Sequence, residues 1–528
     1  MTRNRTHVQR RRAVALAGVL ALASTTLVAC SDGQGAPDAT DDPCVAFEGY
    51  GTFTDTSVTI RSSLTGTEAD KLTETLAQFE QCTGIDVVHA GSDTFESSIV
   101  ADAADGQEPD LAIVPQLGLV AELVDDGELE ELPMDVNVNI EEGWERQWVE
   151  AGTFGTVPYA APLQASVKSM VWYSPVAFQE EGYAVPTTWQ ELEALTAQVV
   201  QDHPDGAVTP WCLGIADGGA TGWPVTDWLE DVMLRQWGVG VYDDWASHGL
   251  PVDTAQAVSA LDTVGDLLLA DGRVPGGREG AVATSVTDTA RQLLDGSCLM
   301  LHASSSFESA LPDGTVVTDP TGTNPVTVTP SGEASEVASG GPGADGTTTQ
   351  PADSGQPAEA AQPAADGATG QATQGAPSGR ATTDDELSTF YLPADDDAES
   401  QPVLVGGDYL VAFHSSPAVT AVMSYLTSPE WAQERVALGG VATANRAVDP
   451  ASVPSDVGSR ATELLQSRET VVRFDASDRM PPSVGTGTMW TALTDWTAGR
   501  LSSRQALAQV EDSWPRATPT PSPTATGG

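Results

Sequence analysis

Strands and helices alternate along the first part of this chain, and that alternation limits its fold more than any other feature. Short apolar strands are predicted at 58–60, 85–88 and 111–114. A helix between the first two strands ends at Gly84, and another helix begins at Phe95. Alternation of this kind predicts a mainly parallel sheet flanked by helices. The predicted fold class is therefore α/β.

Polar residues follow two of these strands. Ser63 and Thr65 come after the first strand, and Gln116 comes after the third. In open α/β sheets, ligands bind beyond the carboxyl ends of the strands. All three residues are therefore candidates for ligand binding, although ordinary loop polarity also explains each of them.

A second candidate region is 211–235, where a strand and a Gly-rich turn at 218–222 lead into a helix. The turn brings Trp223 to the start of the helix, with Thr226 as the predicted N-cap and Asp227 as a first-turn carboxylate. An aromatic face, hydroxyls, backbone N–H groups and one acid at a helix start suit a polyhydroxylated small molecule. A buried tryptophan beside a structural glycine turn is the simpler alternative.

The region 211–235 resembles the extracellular solute-binding proteins (family 1) of carbohydrate ABC transporters, specifically the alpha-glucoside-type group. Further blocks match in the same order, and the resemblance covers most of 57–514. These blocks are 166–173, 186–189, 406–408, 474–481 and 485–490.

The resemblance implies a two-lobed, periplasmic-binding-protein-like (type II) fold with a hinge, each lobe being a mainly parallel sheet flanked by helices. Lobe I is then expected at 57–166 and 296–404, and lobe II at 167–295 and 405–514. The strand at 298–302 is expected to return to the first lobe.

Two of the matching blocks add candidate ligand-binding residues near the expected lobe crossings. A buried lysine must find acceptors, and for Lys168 these are either sugar hydroxyls or a carboxylate at the hinge. Two glycines before Asp408 allow close approach of a ligand to the backbone at Gly407, whereas a β-turn with a capping aspartate is the alternative.

The last two blocks add three further candidates. Asp478 and Arg479 lie in a charged loop whose acids and arginines could instead satisfy one another, and Trp490 is either a stacking platform or a core residue. One departure from the family pattern follows His302, where an Arg-Gln pair is expected and this chain has Ala303 and a run of serines. A guanidinium is therefore missing, and the identity of the sugar stays open.

The amino terminus predicts export and membrane anchoring. Residues 1–29 combine a basic head with a short apolar run and end before Cys30, which matches a lipoprotein signal peptide. Cys30 is then the lipidated first residue, and 30–56 form a spacer. An ordinary cleaved signal is the alternative, and no other membrane contact is expected.

Four cysteines remain, and an exported compartment permits them to form disulfides. Four thiols allow three connectivities, of which Cys44–Cys82 and Cys212–Cys298 are favoured. No CxxC spacing occurs and the six histidines are scattered, so neither a metal site nor a cofactor is predicted.

Composition excludes nucleic acid as a partner. The 528 residues carry 75 acidic against 23 basic side chains, for a formal charge of −52, which would repel a polyanion. Residues 312–386 and 515–528 have few aromatic residues and are rich in small and polar residues, a composition that predicts disorder.

The predicted function is that of a monomeric, lipid-anchored, extracytoplasmic binding protein rather than an enzyme. Its lobes would close on an alpha-glucoside or other oligosaccharide, held between the Trp223 indole and the acids Asp227 and Asp408, and deliver it to ABC permease subunits. One alternative is a secreted glycosidase or esterase that uses Asp227 and Asp408, although no GxSxG or HExxH motif is present. Another is a surface sensor or adhesin derived from a binding protein.

Overall fold

The computed structural model describes residues 42–312, 314–318, 386–394 and 402–515. The predicted signal peptide, Cys30, nearly all of the segment 312–386 and all but the first residue of the tail 515–528 lie outside the described residues. The fold below is that of the compact unit that begins at Ala46. No helix of the described residues is long and apolar enough to cross a membrane.

The described strands are short, and most are buried on both faces. In chain order they are β1 (Thr56–Ser62), β2 (Ile85–Gly91), β3 (Leu111–Val114), β4 (Thr153–Phe154), β5 (Val157–Pro158), β6 (Ala161–Val167), β7 (Met170–Tyr173), β8 (Thr209–Trp211), β9 (Cys298–His302), β10 (Val316–Thr318), β11 (Glu386–Tyr391), β12 (Val403–Ala412) and β13 (Val472–Phe474).

Helices occupy most of the remaining described residues. They are α1 (Gly66–Thr83), α2 (Phe95–Ala104), α3 (Leu117–Asp126), α4 (Met134–Gly143), α5 (Arg146–Ala151), α6 (Pro175–Glu181), α7 (Trp189–Asp202), α8 (Trp223–Ala246), α9 (Ala255–Leu268), α10 (Gly277–Ala283), α11 (Val286–Leu294), α12 (Pro417–Leu426), α13 (Pro429–Ala437), α14 (Asp456–Gln466), α15 (Trp490–Thr497) and α16 (Ser503–Ser513), with 3₁₀ turns at Val45–Tyr50, Gly218–Ala220, Ser305–Ala310, Pro450–Ser452 and Ser477–Arg479 and a π-helical turn at Ser483–Met489.

Two sheets organise the chain. The first has the order β13-β12-β3-β1-β2, with β6 also paired to β12, and the second has the order β10-β11-β7-β9-β8. In the first sheet β1 runs parallel to β2 and β3, whereas β12 runs antiparallel to β3 and β6. In the second sheet β7 runs antiparallel to both of its neighbours. Both sheets therefore contain parallel and antiparallel pairs. In each sheet the antiparallel strand is one that the chain reaches directly from the other sheet, β12 in the first and β7 in the second.

Each sheet has its own hydrophobic core. Phe79, Trp148 and Tyr425 are fully buried around the first sheet, and Trp211 and Trp245 around the second. Helices α12 and α13 pack beside the first sheet, against β1 and α1, while α15 and α16 pack beside the second, against α8 and α9. We call the first sheet with its helices lobe I, and the second sheet with its helices lobe II.

The pairing differs from the predicted lobe boundaries from β9 onward, since β9, β10 and β11 lie in lobe II whereas β12 and β13 lie in lobe I. The strand Cys298–His302 lies between β7 and β8 in lobe II and does not return to lobe I as predicted. The strands Val403–Ala412 and Val472–Phe474 belong to the sheet of lobe I, so the assignment of residues 405–474 to lobe II is wrong as well. All residues of β9 are buried, and an apolar strand of this kind does not reveal from sequence which sheet it enters.

The Cys212–Cys298 disulfide is present as predicted and ties the segment after β8 to the start of β9. Cys44 and Cys82 are also in the disulfide-bonded state. The chain passes from lobe I to lobe II at residues 168–169, between β6 and β7, and again after β13. Both passages carry charged residues of the site described next.

Candidate functional site

A cleft of about 330 Å³ lies at the carboxyl end of β1 and β3 and is closed on its other side by the start of α8. Nine of the eleven predicted ligand-binding residues line it. They are Ser63, Gln116, Lys168, Trp223, Asp227, Gly407, Asp408, Asp478 and Trp490. Residues far apart in the sequence are thus brought together in one cavity, to which both lobes contribute.

Gln116 occupies the position predicted for it, directly after β3. It is the N-cap residue of α3, and its side chain makes no capping hydrogen bond. The residue is only 7% exposed, and its Oε1 has no hydrogen-bond partner among the described residues. A buried amide oxygen without a partner costs folding free energy, so a ligand donor in the cleft would satisfy it.

Trp490 lines the same cleft and has an unpartnered donor. The side chain is 4% exposed, and no described residue accepts a hydrogen bond from its Nε1. The ring is buried, as the predicted alternative of a core residue requires, and it also lines the cavity, so its role as a stacking platform stays a prediction.

The start of α8 is shaped by Gly222. This residue has φ +112°, and a Cβ placed on it would lie 2.4 Å from the Trp490 carbonyl oxygen, so only glycine allows α15 to pack here. Gly222 is the N-cap. The predicted N-cap, Thr226, lies inside the helix instead, where its hydroxyl donates to the Trp223 carbonyl at 2.6 Å.

Trp223 is partly exposed in the cleft, as a stacking residue must be. Its Nε1 donates to Asp217 Oδ2 at 2.7 Å. The indole is therefore fixed at its polar edge, and Asp217 is an acid of the cleft that the sequence reasoning missed.

Lys168 is held by three carboxylates. Its Nζ lies 3.1 Å from Asp227 Oδ1 and 3.4 Å from Asp478 Oδ2, and it also donates to Asp475. Burial alone would lower the pKa of Lys168, but the three acids hold it well above its usual value. Lys168 therefore makes the structural pairing with carboxylates that was the predicted alternative to ligand contact, and it also lines the cleft.

The three acids respond differently to this shared cation. Burial would raise the pKa of Asp475, but the ammonium of Lys168 and a hydrogen bond from Ser477 lower it below its usual range. Burial raises the pKa of Asp478 to about 7, helped by the neighbouring Asp475. Burial also raises the pKa of Asp227 well above its ordinary value, against the pull of Lys168.

Asp408 is partly buried and accepts a hydrogen bond from Gln164 Nε2 at 2.6 Å. Burial raises its pKa to about 6, and the bond from Gln164 offsets part of that rise. A Cβ on Gly407 would lie 2.7 Å from the Gln164 carbonyl oxygen, and one on Gly406 would lie 2.7 Å from Lys168 Cε. Gly407 is thus required by packing against the backbone of β6, which is a different reason from the predicted approach of a ligand to the backbone, whereas Gly406 lies against the flexible end of the Lys168 side chain.

Two predicted residues lie outside the cleft. Thr65 is exposed at the N-cap of α1, one turn away from the lining residue Ser63. Arg479 is exposed, with its guanidinium 6.0 Å from the centre of the Phe474 ring, and it faces a separate depression. In the 3₁₀ turn Ser477–Arg479, successive side chains point in different directions, so Asp478 enters the cleft and Arg479 leaves it.

Several acids of the cleft were not singled out from the sequence. Besides Asp217 and Asp475, the lining includes Glu68 in the first turn of α1 and Glu96 in the first turn of α2. Burial raises the pKa of Glu96, hydrogen bonds including one from the Ser63 hydroxyl oppose the rise, and Asp217 and Asp408 add to it. Only the position of Glu96 at the start of a helix following a strand could have suggested it.

No group of three or more potential metal ligands occurs in the part of the chain that the structure describes. The cleft is instead lined by hydroxyls, amides, carboxyls and two indoles. Such groups can hydrogen-bond to an organic solute or pack against it.

Comparison with known proteins decides the family. The sequence profile of the bacterial extracellular solute-binding protein family matches residues 74–462. The chain belongs to this family. Among relatives of this solute-binding protein, the osmoprotective compounds-binding protein GgtB of Synechocystis sp. is 31% identical over 463 residues, covering 87% of this chain and 92% of its own. The alpha-glucosides-binding periplasmic protein AglE of Rhizobium meliloti is 28% identical over 449 residues, covering 83% and 82%.

Solved structures agree on the fold of this solute-binding protein. The bacterial solute receptor AcbH, with an exclusive preference for β-D-galactopyranose, has a TM-score of 0.63 at 14% identity and covers 86% of this chain and 97% of its own. Maltose-bound MalE3 of T. maritima has a TM-score of 0.57 at 16% identity and covers 87% and 98%. The predicted α/β class and two-lobed periplasmic-binding-protein-like fold are therefore confirmed.

Proposed function

We propose that this protein captures an alpha-glucoside or another small oligosaccharide in the cleft by closure of its two lobes, and delivers it intact to the permease subunits of an ABC importer. It acts outside the cytoplasm, held at the outer face of the cell membrane by lipidated Cys30. The observation that carries the proposal is the pair of buried, unpartnered groups, Gln116 Oε1 and Trp490 Nε1, on one cavity.

These two groups match the chemistry of a sugar hydroxyl, which both donates and accepts hydrogen bonds. The cavity volume lies at the lower end of the range of about 300–1,000 Å³ typical of small-molecule sites. Trp223 offers an aromatic face for the C–H face of a sugar ring, while carboxyls such as Asp408 accept from hydroxyls. Hydrogen bonds to charged acceptors contribute about 1.5–3 kcal/mol each, so a few of them give micromolar affinity, roughly −8 kcal/mol.

The names of the relatives support a polyhydroxylated solute. One relative is described as binding alpha-glucosides and another as binding osmoprotective compounds. Lobe closure is supported by the placement of the cleft, since Ser63 and Gln116 come from lobe I and Trp223 and Trp490 come from lobe II. Closure brings two such half-sites onto one ligand.

The alternative of a glycosidase that uses Asp227 and Asp408 receives less support. Asp227 is buried and accepts from the Lys168 ammonium, which it shares with Asp475 and Asp478. A general acid or nucleophile must reach the glycosidic bond, whereas this carboxylate is already committed to a cation. The relatives named above are binding proteins as well.

The experiment is a thermal-shift and calorimetric screen of the full-length protein with maltose, trehalose, sucrose and raffinose. A bound sugar at 100 times its dissociation constant adds about 2.7 kcal/mol to the free energy of unfolding. Recovery of the sugar unchanged after overnight incubation supports binding, whereas its hydrolysis contradicts the proposal. A folded protein that binds none of the four sugars at millimolar concentration also contradicts it.

Gln116→Met tests whether the unpartnered oxygen of Gln116 contributes to sugar binding. Methionine keeps the length of the side chain and removes an unpartnered buried oxygen, so stability is expected to stay the same or rise slightly. Loss of one neutral hydrogen bond, about 0.5–1.5 kcal/mol, should weaken sugar binding roughly two- to tenfold. The control is Arg479→Met, which changes a residue outside the cleft and should leave the affinity unchanged.

Anchoring is tested separately. Cys30→Ser removes the acceptor of the lipid, and the variant should move from the membrane fraction to the medium. A variant that still sediments with membranes would contradict the lipid anchor without affecting the sugar proposal.

A further inference from the structure

Acidic residues outnumber basic residues in the lining of the cleft. Seven aspartates and glutamates line it, and Lys168 is the one lysine, arginine or histidine among the lining residues that the structure describes. The ammonium of Lys168 forms ion pairs with Asp227, Asp475 and Asp478. The charge of the remaining acids is therefore not balanced by a lysine or arginine in the cavity.

Three of the remaining acids come from three different elements and line the same cavity. Glu96 lies in the first turn of α2, Asp217 precedes the turn before α8, and Asp408 lies on β12. All three line the one cavity, and the negative charges of Asp217 and Asp408 contribute to the raised pKa of Glu96.

The hydrogen-bond donors to these three carboxyls are neutral. Ser63 donates to Glu96, Trp223 Nε1 donates to Asp217, and Gln164 Nε2 donates to Asp408. Among the described residues, the ion pairs within 4.0 Å involve none of the three carboxyls, and Arg435 and Lys168 act on Asp408 only from farther away. Gathering acids without a cation is unfavourable in a partly desolvated cavity.

An independent observation points to a donor-rich ligand. Gln116 Oε1, on the same cavity, is a buried acceptor without a partner. This side of the cleft thus presents carboxylate and amide oxygens together, all of which accept hydrogen bonds. An ammonium group donates three hydrogen bonds and supplies the missing positive charge, whereas a hydroxyl donates one and supplies no charge.

We propose that the solute of this cleft is an aminated sugar, whose protonated amine lies among Glu96, Asp217 and Asp408, with Gln116 Oε1 as a further acceptor. The inference rests on the proposed function, because it names the chemical class of sugar that the same cleft prefers. The neutral sugar ring packs against Trp223, and the amine selects the solute.

The test compares matched sugars by titration calorimetry on the full-length protein at pH 7.5. The probes are glucose, glucosamine and N-acetylglucosamine, together with trehalose, its monoamino-monodeoxy isomers and their N-acetyl derivatives. At least one amine is expected to bind tenfold or more tightly than its neutral parent, and N-acetylation, which removes the charge, should abolish the gain.

Two variants connect that preference to the proposed residues. Glu96→Gln and Asp408→Asn each remove one negative charge with little change in shape, and the ratio of amine to neutral-sugar affinity should fall at least threefold in each. Asp70→Asn removes the same charge from an exposed position of α1 outside the cleft and should leave the ratio unchanged.

The outcomes separate the two proposals. If neutral sugars bind and every amine binds equally or more weakly, the inference is wrong and the proposed function stands. If amines are preferred but the ratio survives both Glu96→Gln and Asp408→Asn, the assignment to these acids is wrong. If neither class of sugar binds, both proposals fail.

Discussion

Replacing Lys168 by methionine should destabilise the protein by about 3–5 kcal/mol at pH 8, the usual cost of removing one partner from a buried ion pair. The side chain of Lys168 is 14% exposed, and those of Asp227 and Asp475 are 3% and 2% exposed, so solvent screens their interactions little. Methionine keeps the aliphatic packing against Gly406 but leaves two buried acids and the partly buried Asp478 without their shared cation.

The expected change in melting temperature follows from the size of the described fold. Unfolding entropy is about 2.1 cal/mol/K per residue, and the structure describes about 400 residues, so a loss of about 3–5 kcal/mol lowers the melting temperature by about 4–6 °C. Differential scanning calorimetry and urea unfolding measure the change. The control, Arg146→Met, removes an exposed pair with Glu150 and should change stability by less than about 1 kcal/mol.

The stability difference between Lys168→Met and the native protein should also depend on pH. In the native protein Lys168 lowers the pKa of Asp475, so that carboxylate contributes stability above its unfolded pKa and loses it as the pH falls through the lowered folded pKa. Without the ammonium, burial raises the pKa of these acids above their unfolded values. The folded variant then takes up protons that the unfolded chain does not, and its deficit should shrink between pH 8 and pH 5. A deficit below about 1 kcal/mol, or one that grows as the pH falls, would refute the reasoning.

Three further outcomes are expected. Trp223→Ala should weaken sugar binding without unfolding the protein, because the indole is partly exposed; a variant that fails to fold would show that the ring is a core residue. Replacing both Cys212 and Cys298 by serine should lower the free energy of unfolding by about 4–5 kcal/mol, because the disulfide closes a loop with a sequence separation of 86 residues and so restricts the unfolded chain. Equal urea midpoints for the variant and the oxidised protein would contradict this. Asp408→Asn should stabilise the unliganded protein by about 1–3 kcal/mol above pH 6. The reason is that the pKa of this carboxyl is raised to about 6 in the folded protein, so the folded state loses stability as the pH rises above the pKa of the unfolded chain. The gain should vanish below pH 4, and a variant that is less stable than the native protein at pH 8 would contradict the prediction.

The sequence predicted the elements of lobe I because their apolar spacing is local. The strand β3 was expected, and Gln116 lies where the edge of an α/β sheet places ligands. The destination of β9 could not be predicted in this way. A strand that is buried along its whole length has no polar face to show which sheet it joins.

The same limit applies to the site. Glu96 and Asp217 become candidate binding residues only because α2 and the turn before α8 lie at the same cleft in the fold. No spacing along the sequence predicts that proximity. Conversely, Arg479 follows Asp478 directly in a recognised block, yet the 3₁₀ turn sends the two side chains to different surfaces. The resemblance identified the segment, and the local backbone decided which of its residues line the cleft.

The most direct test of the central claim is a crystal structure of the protein with the tightest-binding sugar from the screen. We expect the intact sugar inside the cleft, with Gln116 Oε1 and Trp490 Nε1 each within hydrogen-bond distance of it and Trp223 against its ring. A sugar found on the outer surface or in the depression beside Arg479, with both of these buried atoms still unpartnered, would contradict the account.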